Sequence, residues 1–288
     1  MAHHTHLLRL RAPRHAARTA GTLAALLVAT GALAQETQTI TVTGRTLAPG
    51  TFVGFGDQAA ARTPLQALTL EPELLHDQGI TQLSGLTRLD ASIGDAYNAE
   101  GYWSMLSIRG YTLDNRFNYR RDGLPINAET AIALDNKERI EVLEGTSGIQ
   151  AGTSAPGGLV NLVVKRPAGT LREVRLEWRE PGSLLVAADL GETLGTQGEF
   201  GLRINLAAEH LDPMVRNTRG RRTLGALAVD WKPAPATLLQ FEIEDSRQRQ
   251  PSVVGYSMLG DRLPSAASLD PRHNLNDQPW RQDVILAG

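Results

Sequence analysis

The side chains able to do chemistry in this sequence form no catalytic constellation. Four of the seven histidines lie in the first 34 residues, which leaves His76, His210 and His273, each standing alone. A lone histidine is more often a surface or packed residue than a ligand. There is no Cys, so neither a disulfide framework nor a thiolate metal site can form. No H-E-x-x-H and no Walker A run occurs. Gly145-Thr146-Ser147-Gly148 lacks the glycine spacing of a G-x-S-x-G nucleophile turn. Gly54-Phe55-Gly56-Asp57-Gln58-Ala59 fits a dinucleotide pattern only superficially, since no buried strand precedes it and no amphipathic helix follows. What remains is non-covalent chemistry. Tyr97, Tyr102 and Trp103 end one polar stretch, and Arg116, Phe117 and Tyr119 sit in a second. Aromatic rings and guanidinium groups of this kind stack, make cation–π contacts and hydrogen-bond to bulky, anionic ligands. The sequence is therefore expected to encode no enzyme.

The elements that hold these loops read as a small α+β pattern. Thr63 to Leu70 is a strand, placed at a sheet edge because Pro64 lacks an N–H. Glu71 to Gln78 is helical and Gly79 can end it. Thr81 caps a short run with an apolar stripe of Leu83, Leu86 and Leu89. Leu106 to Tyr111 alternates like one strand, and Asp122-Gly123 marks a hairpin-type turn. Ile140 to Leu143 and Leu159 to Val164 are further strands. Between them lie Gly145, Gly148, Gly152, Gly157 and Gly158 with Pro156. Positive φ and close backbone approach make this a compact connection rather than a helix.

Composition narrows the class. With 29 basic and 31 acidic residues in 288, the chain lacks the basic footprint of a nucleic-acid binder, so no nucleic acid is expected as partner. No apolar run reaches the ~18 residues of a membrane helix, so a membrane protein of this sequence would have to be a β-barrel. Met1 to Ala34 reads as a secretory signal peptide: Arg9, Arg11, Arg14 and Arg18, an apolar core from Thr22 to Leu33, then Ala32-Leu33-Ala34. Glu36 to Gly44 follows as an extended, β-branched segment able to add a strand to a partner's sheet edge. Arg45 to Arg62 is a Gly/Ala-rich linker.

After Pro167 the periodicity becomes 2 in five successive segments. Val174, Leu176 and Trp178 alternate with Arg175, Glu177 and Arg179. Leu184 to Leu190, Phe200 to Leu206, Leu227 to Trp231 and Leu239 to Ile243 follow the same rule. Ser246 to Trp280 lacks long periodic runs and carries Pro251, Pro264, Pro271 and Pro279, as a long loop would. Alternation alone fits a soluble antiparallel sheet with one wet face as well as a membrane barrel.

The run Leu134 to Pro167 decides between them. Glu138-Arg139-Ile140-Glu141-Val142-Leu143, Ala155-Pro156-Gly157-Gly158-Leu159-Val160-Asn161 and Lys165-Arg166-Pro167, together with Ile108-Arg109-Gly110-Tyr111, resemble the plug domain of TonB-dependent outer-membrane receptors, most closely the ferric-siderophore receptors. Gln150-Ala151-Gly152 departs from the Tyr-Gly of many members, which suggests a subgroup. The resemblance implies an α+β plug followed by the first five or so antiparallel strands of a 22-stranded transmembrane β-barrel. It implies a signal peptide over 1–34, a TonB box and linker over 35–62, a plug over 63–167 and the N-terminal part of the barrel over 168–288. At about 10 residues per strand plus loops, several hundred residues are missing. The chain is therefore expected to be the N-terminal part of a receptor, from a truncated, partial or pseudogenised gene, with no room for an extra signalling domain before the box.

The same resemblance assigns roles. Thr39, Ile40, Thr41 and Val42 look like the TonB box, gripped from the periplasm by TonB with ExbB and ExbD. Tyr97, Tyr102, Trp103, Arg116, Phe117 and Tyr119 become the plug apex that binds a ferric siderophore, since similar receptors use the two loops flanking the I-R-G strand. Arg109, Arg139 and Glu141 would join a charge network between plug and barrel, with partners on later strands. Iron arrives chelated by the siderophore, so no cofactor and no protein metal ligand is expected. The other implied partner is outer-membrane lipid, after Sec-type export in a Gram-negative bacterium. Competing readings are a receptor of the same kind for haem, cobalamin or a glycan, and a soluble periplasmic plug-like binding module. The amphipathic strands after Leu171 argue against the soluble module.

Overall fold

The computed structural model describes residues 6–8, 66–97, 99, 101–145, 156–252, 265–268, 270–274 and 280–287. Thr39 to Val42, expected from the sequence to be a TonB box, the expected linker up to Arg62 and all of the expected leader except His6–Leu8 lie outside them.

The plug begins with β2 (Ala67–Leu70), at the edge of a five-stranded sheet as its sequence predicts. Helix α1 (Pro72–Asp77) places Pro72 in its first turn, where a missing N–H costs nothing. Gly79, at φ +60°, turns the chain out of the helix. Leu83–Arg88 forms a 3₁₀ turn, with Leu83 and Leu86 buried and Leu89 packed against the core. Thr81 does not cap it. Gln82 holds the cap position and makes no side-chain cap bond, because packing of the leucines, not capping, fixes this short turn.

Two short hairpins follow. β4 (Leu106–Ile108) pairs with β3 (Ile93–Asp95) on one side and β5 (Tyr111–Thr112) on the other. The single strand expected over Leu106 to Tyr111 is thus a hairpin. Arg109 and Gly110 sit at φ +52° and +81°, the doubly positive geometry of a two-residue type I′ turn. Asp122 and Gly123, at +48° and +83°, make the second such turn between β6 (Tyr119–Arg121) and β7 (Leu124–Pro125), as the sequence predicts. β8 (Lys137–Glu144) and β9 (Gly158–Val164) complete the larger sheet in the order β2-β8-β9-β6-β7, with β6 parallel to β9. The glycine-rich connection is closed at its base, where the Gly145 N–H donates to the Gly157 carbonyl at 2.8 Å. A Cβ on Gly158 would collide with the Leu143 carbonyl. Gly148 and Gly152 lie outside the described residues. One apolar core, from Leu70 to Leu162 and including Ile108, Ile140 and Val160, fills the space between sheets and helices.

The second sheet is a wall of long antiparallel strands: β10 (Leu171–Arg179), β11 (Ser183–Leu194), β12 (Phe200–Leu211), β13 (Gly220–Ala234), β14 (Thr237–Ser252) and β15 (Trp280–Ala287). All five segments read from period 2 are strands. Among the described residues the sheet is open, with β15 at one edge and β1 (His6–Leu8), from the segment expected to be a leader, paired to Leu176–Trp178 at the other. Its faces are inverted relative to a soluble sheet. Val174, Trp178, Leu184, Val186, Leu206, Phe241 and Ile243 are exposed, Val174 by 70% and Phe241 by 61%. The opposite face buries Glu177, Asp189, Asn205, Glu209, Arg222, Asp230 and Glu244 against the plug.

β14 runs past the point where the sequence predicts a loop. From Ser246 on, its inner face is Ser246, Gln248, Gln250 and Ser252, all buried, and its outer face is Arg247 and Arg249. The period is still 2, but neither face is apolar, so a hydrophobic pattern cannot register it. Two of the three connections at one end of the wall, residues 212–219 and 253–279, are longer than either connection at the other, 195–199 and 235–236, while 180–182 is a tight turn. Phe200 and Trp231 stack, ring centroids 5.7 Å apart, on the exposed face at the short-turn end. Short turns at one end, longer loops at the other and aromatics at the rim of an apolar band are features of outer-membrane barrels.

Candidate functional site

The first of the two candidate loops, between β3 and β4, is braced at its base by the Ala96 N–H donating to the Met105 carbonyl at 2.7 Å. Gly101, at φ +73°, comes so close to the Pro251 carbonyl that a Cβ has no room. The loop therefore leans on the end of β14 from which the longest connection departs. Three of the sequence-predicted residues meet here. The Tyr102 ring stacks on Trp103 with centroids 3.8 Å apart, and Tyr97 meets Tyr102 edge-on at 5.2 Å. Tyr97 is exposed and the other two are half-buried. Burial, with a smaller push from Tyr97, raises the Tyr102 phenol above its ordinary value, so it is a hydrogen-bond donor at neutral pH. The Trp103 Nε1 is buried without an acceptor among the described residues.

The second loop holds Arg116 and Phe117 at the surface. Arg116 grips Asp114 through two bonds, Nε to Oδ1 at 3.1 Å and Nη2 to Oδ2 at 2.9 Å. Its guanidinium lies 5.3 Å from the Phe117 ring centroid. Asn115 donates to the carbonyls of Ser104 at 3.2 Å and Ala128 at 3.0 Å, which ties this loop to the residue beside Trp103. Tyr119, expected with Arg116 and Phe117, lies apart from them. It is the first residue of β6, fully buried, and its hydroxyl accepts the Leu106 N–H at 3.1 Å. Burial raises its phenol above the ordinary value. It is a core residue that its polar neighbours disguise.

Arg109, Arg139 and Glu141 find their described partners inside the plug. Arg109 pairs with Glu144 at 2.8 Å and also reaches Gln66. Arg139 pairs with Glu141 on the same strand at 2.8 Å, and Glu141 accepts from Asn161 at 2.9 Å. None of the described ion pairs of these three crosses to the wall strands.

A different set makes the plug–wall seam, and the sequence pattern does not single it out. Asp135 pairs with Arg175 at 3.1 Å and with Arg222. Next to it, Asn136 donates to Glu244 at 2.7 Å and Lys137 pairs with Glu244 at 3.1 Å. Arg121 joins the same Glu244 at 2.8 Å and also bonds Glu242. Lys165 pairs with Asp189 at 2.8 Å, an acid that Arg203 also holds through two bonds at 2.9 Å. Arg166 reaches Asp230 at 3.5 Å and the Phe241 carbonyl at 3.2 Å. The chain has three lysines, and two of them, Lys137 and Lys165, are buried in this seam. Lysine is buried only when paired, and burial lowers the Lys137 ammonium below its ordinary value against the opposing pull of Glu244. Burial pushes the Asp135 carboxyl up, but Arg222 and Arg175 outweigh it and hold it below the ordinary carboxylate range. It is an anion at any physiological pH. Of the histidines, His76 contacts Arg175 at this seam and His210 is exposed. No group of three or more His, Cys, Asp or Glu side chains placed to hold a metal occurs among the described residues.

Residues 59–159 match the TonB-dependent receptor plug domain family. Over 195 residues the chain is 26% identical to the ferrichrome receptor FcuA of Yersinia enterocolitica, covering 65% of this chain and 25% of that one. Over 290 residues it is 24% identical to the ferrichrome outer membrane transporter/phage receptor of Escherichia coli K12, covering 91% and 38%. The chain thus spans well under half the length of these relatives. Among solved structures, that of the FpvAI–pyocin S2 complex aligns with a TM-score of 0.64 at 17% identity, over 77% of this chain and 31% of its counterpart. The ferric-catecholate import receptor Fiu of Escherichia coli K12, in its open form, aligns with a TM-score of 0.61 at 20% identity, over 70% and 30%. Both structures share the fold of plug and adjoining strands.

Proposed function

From a chain that carries the plug domain of the TonB-dependent receptors, we propose TonB-dependent uptake of ferric siderophores across the outer membrane of a Gram-negative bacterium. The observation that carries this reading is the docking of a plug onto the charged inner face of a sheet whose outer face is apolar. Such a wall has lipid on one side and a plugged lumen on the other. The relatives, ferrichrome receptors foremost, favour a ferric siderophore over haem, cobalamin or a glycan. The aligned part of each relative is a minor share of its length, so the transport cycle belongs to a protein with a complete barrel of about 22 strands.

Three steps make up the proposal. The chelate binds at the apex, stacking on Tyr97, Tyr102 and Trp103 and meeting the charge of Arg116 beside Phe117. The plug then shifts in the lumen and releases Thr39 to Val42 into the periplasm. TonB, driven by ExbB and ExbD, pairs with that strand and pulls. Arg109, Arg139 and Glu141 take later-strand carboxylates as partners in the closed barrel; Arg109, about half exposed, keeps donors free for one. The boundaries that go with this reading are a leader over 1–34, box and linker over 35–62, plug over 63–167 and wall over 168–288. Uptake of ⁵⁵Fe-labelled chelates by cells expressing the receptor tests it. Deletion of Thr39 to Val42 should abolish uptake and leave binding at the cell surface intact. Import that persists without those residues would contradict the mechanism.

A further inference from the structure

Six charged groups at the seam close on themselves. Starting from the plug, Asp135 pairs with Arg222, Arg222 with Glu209, Glu209 with Arg179, Arg179 with Glu177, Glu177 with Arg175 at 3.6 Å, and Arg175 with Asp135 at 3.1 Å. Acid and base alternate around the whole ring. Five members belong to the wall and their places follow from its register. Arg175, Glu177 and Arg179 are alternate residues of β10 and so share one face. Glu209 of β12 is directly opposite Arg222 of β13. Leu185 of β11 is opposite both Glu177 and Glu209 and lies fully buried beneath the ring as an apolar floor. Asp135 is the one member supplied by the plug.

Without Asp135 the wall's three arginines and two glutamates carry one uncompensated positive charge. With it the ring is neutral. We propose that this wall patch is a preformed carboxylate receptor, and that Asp135 is the positioning residue that seats the plug by filling it. The neighbours of Asp135 fit the same purpose. Ala133 packs with Leu185 on the wall's small apolar patch, while Ile132 and Leu134 point back into the plug core. Two residues further on, Lys137 enters the acidic site at Glu244. The segment Ala133 to Lys137 thus presents an apolar contact, a negative charge and a positive charge to three different wall sites. In this seat each charge of the segment meets its opposite and Ala133 meets an apolar patch, a complementarity that favours one seat. Water-sized cavities of about 10 Å³ lie on either side, one lined by His76, Asp135, Arg175 and Glu177, the other by Asp135, Lys165, Arg175 and Asp189. Each has room for about one water molecule beside the ring.

Charge bookkeeping gives a test that simple loss of contacts would fail. Asp135→Asn leaves the ring at plus one and Arg222→Gln leaves it at minus one, but the pair together is neutral. The chain has no Cys, so spin labels at L124C on the plug and V174C on the wall, both well exposed, report the plug–wall distance in lipid by pulsed electron resonance. The unsubstituted ring should give one narrow distance, each single variant a broadened one, and the double variant a narrow one again. A second measurement uses Asp135→Ala with sodium formate, whose carboxylate should enter the vacated receptor and narrow the distribution, while equal chloride should not. A distribution for Asp135→Asn as narrow as that of the parent, a double variant broader than both singles, or an Asp135→Ala chain indifferent to formate would overturn the proposal. None of these outcomes depends on the ligand carried, so the transport reading stands or falls separately.

Discussion

Plug and wall use apolar residues in opposite ways. In the plug the large aliphatic side chains turn inward, and Leu70, Leu106, Ile108, Ile140 and Leu162 are almost completely buried in one core. In the wall most of them turn outward, and the side facing the plug is filled with alanine, Leu185, Leu224, carboxylates, amides and arginines. A sheet of the second kind has no aqueous state in which both faces are satisfied. The charged face needs the plug or water, and the apolar face needs lipid. The contrast teaches that the two halves depend on different solvents, and that the ion pairs between them are the plug's attachment to a surface with few apolar residues to offer.

Substitutions that reverse the contrast should have effects in a definite order. The largest is expected in the plug core. Leu162→Ala removes a fully buried side chain and should cost about 2–5 kcal/mol, by transfer and cavity terms together, read as a drop in the denaturant midpoint of the plug. Next is the outer wall. Leu206→Arg places a charge on an exposed apolar position and should cost about 2–4 kcal/mol if that position is near the bilayer midplane. The same change should be nearly silent if the face meets water, so the amount of chain in outer-membrane fractions distinguishes the two. Smaller still is Tyr119→Phe, which strips one acceptor from the buried Leu106 N–H and should cost about 1–3 kcal/mol. Chelate affinity should not change in that variant, whereas Tyr102→Ala should weaken binding with little loss of stability. A fall in affinity for Tyr119→Phe would return Tyr119 to the apex.

Much of this architecture is legible in the sequence, for reasons that differ between the two regions. The wall strands announce themselves because one face is apolar, and the announcement stops at Ile243, where the outer face becomes charged. The strand goes on to Ser252, but an amide-and-hydroxyl face opposite an arginine face carries no hydropathy signal. In the plug, the Asp122-Gly123 turn is visible because few pairs of residues tolerate two positive φ angles. Arg109-Gly110 makes the same turn but is hidden inside an alternating run. Tyr119 is misread for a related reason: Asn115, Arg116 and Asn118 make its surroundings look wet, while pairing of β6 with β9 carries it into the core. The seam is the least legible part. Asp135 meets Arg222 across 87 positions and Lys137 meets Glu244 across 107, and no local pattern links residues that far apart. The one available hint is compositional: in a chain with three lysines, two stand at the start and just past the end of the β8–β9 pair, at Lys137 and Lys165.

Which solvent meets each face of the wall decides between barrel and soluble sheet, and β14 offers the most direct test. Single spin-labelled cysteines placed in turn from Leu239 to Glu244, in the chain recovered from outer membranes, can be probed for collision with lipid-soluble oxygen and with a water-soluble nickel chelate. Leu239, Phe241 and Ile243 should be reached by oxygen and shielded from nickel. Gln240, Glu242 and Glu244 should show the reverse or be shielded from both by the plug. The prediction is a two-residue alternation through the strand. Equal access of the nickel chelate to both faces would mean a soluble sheet, and the barrel wall, with the transport function resting on it, would have to be abandoned.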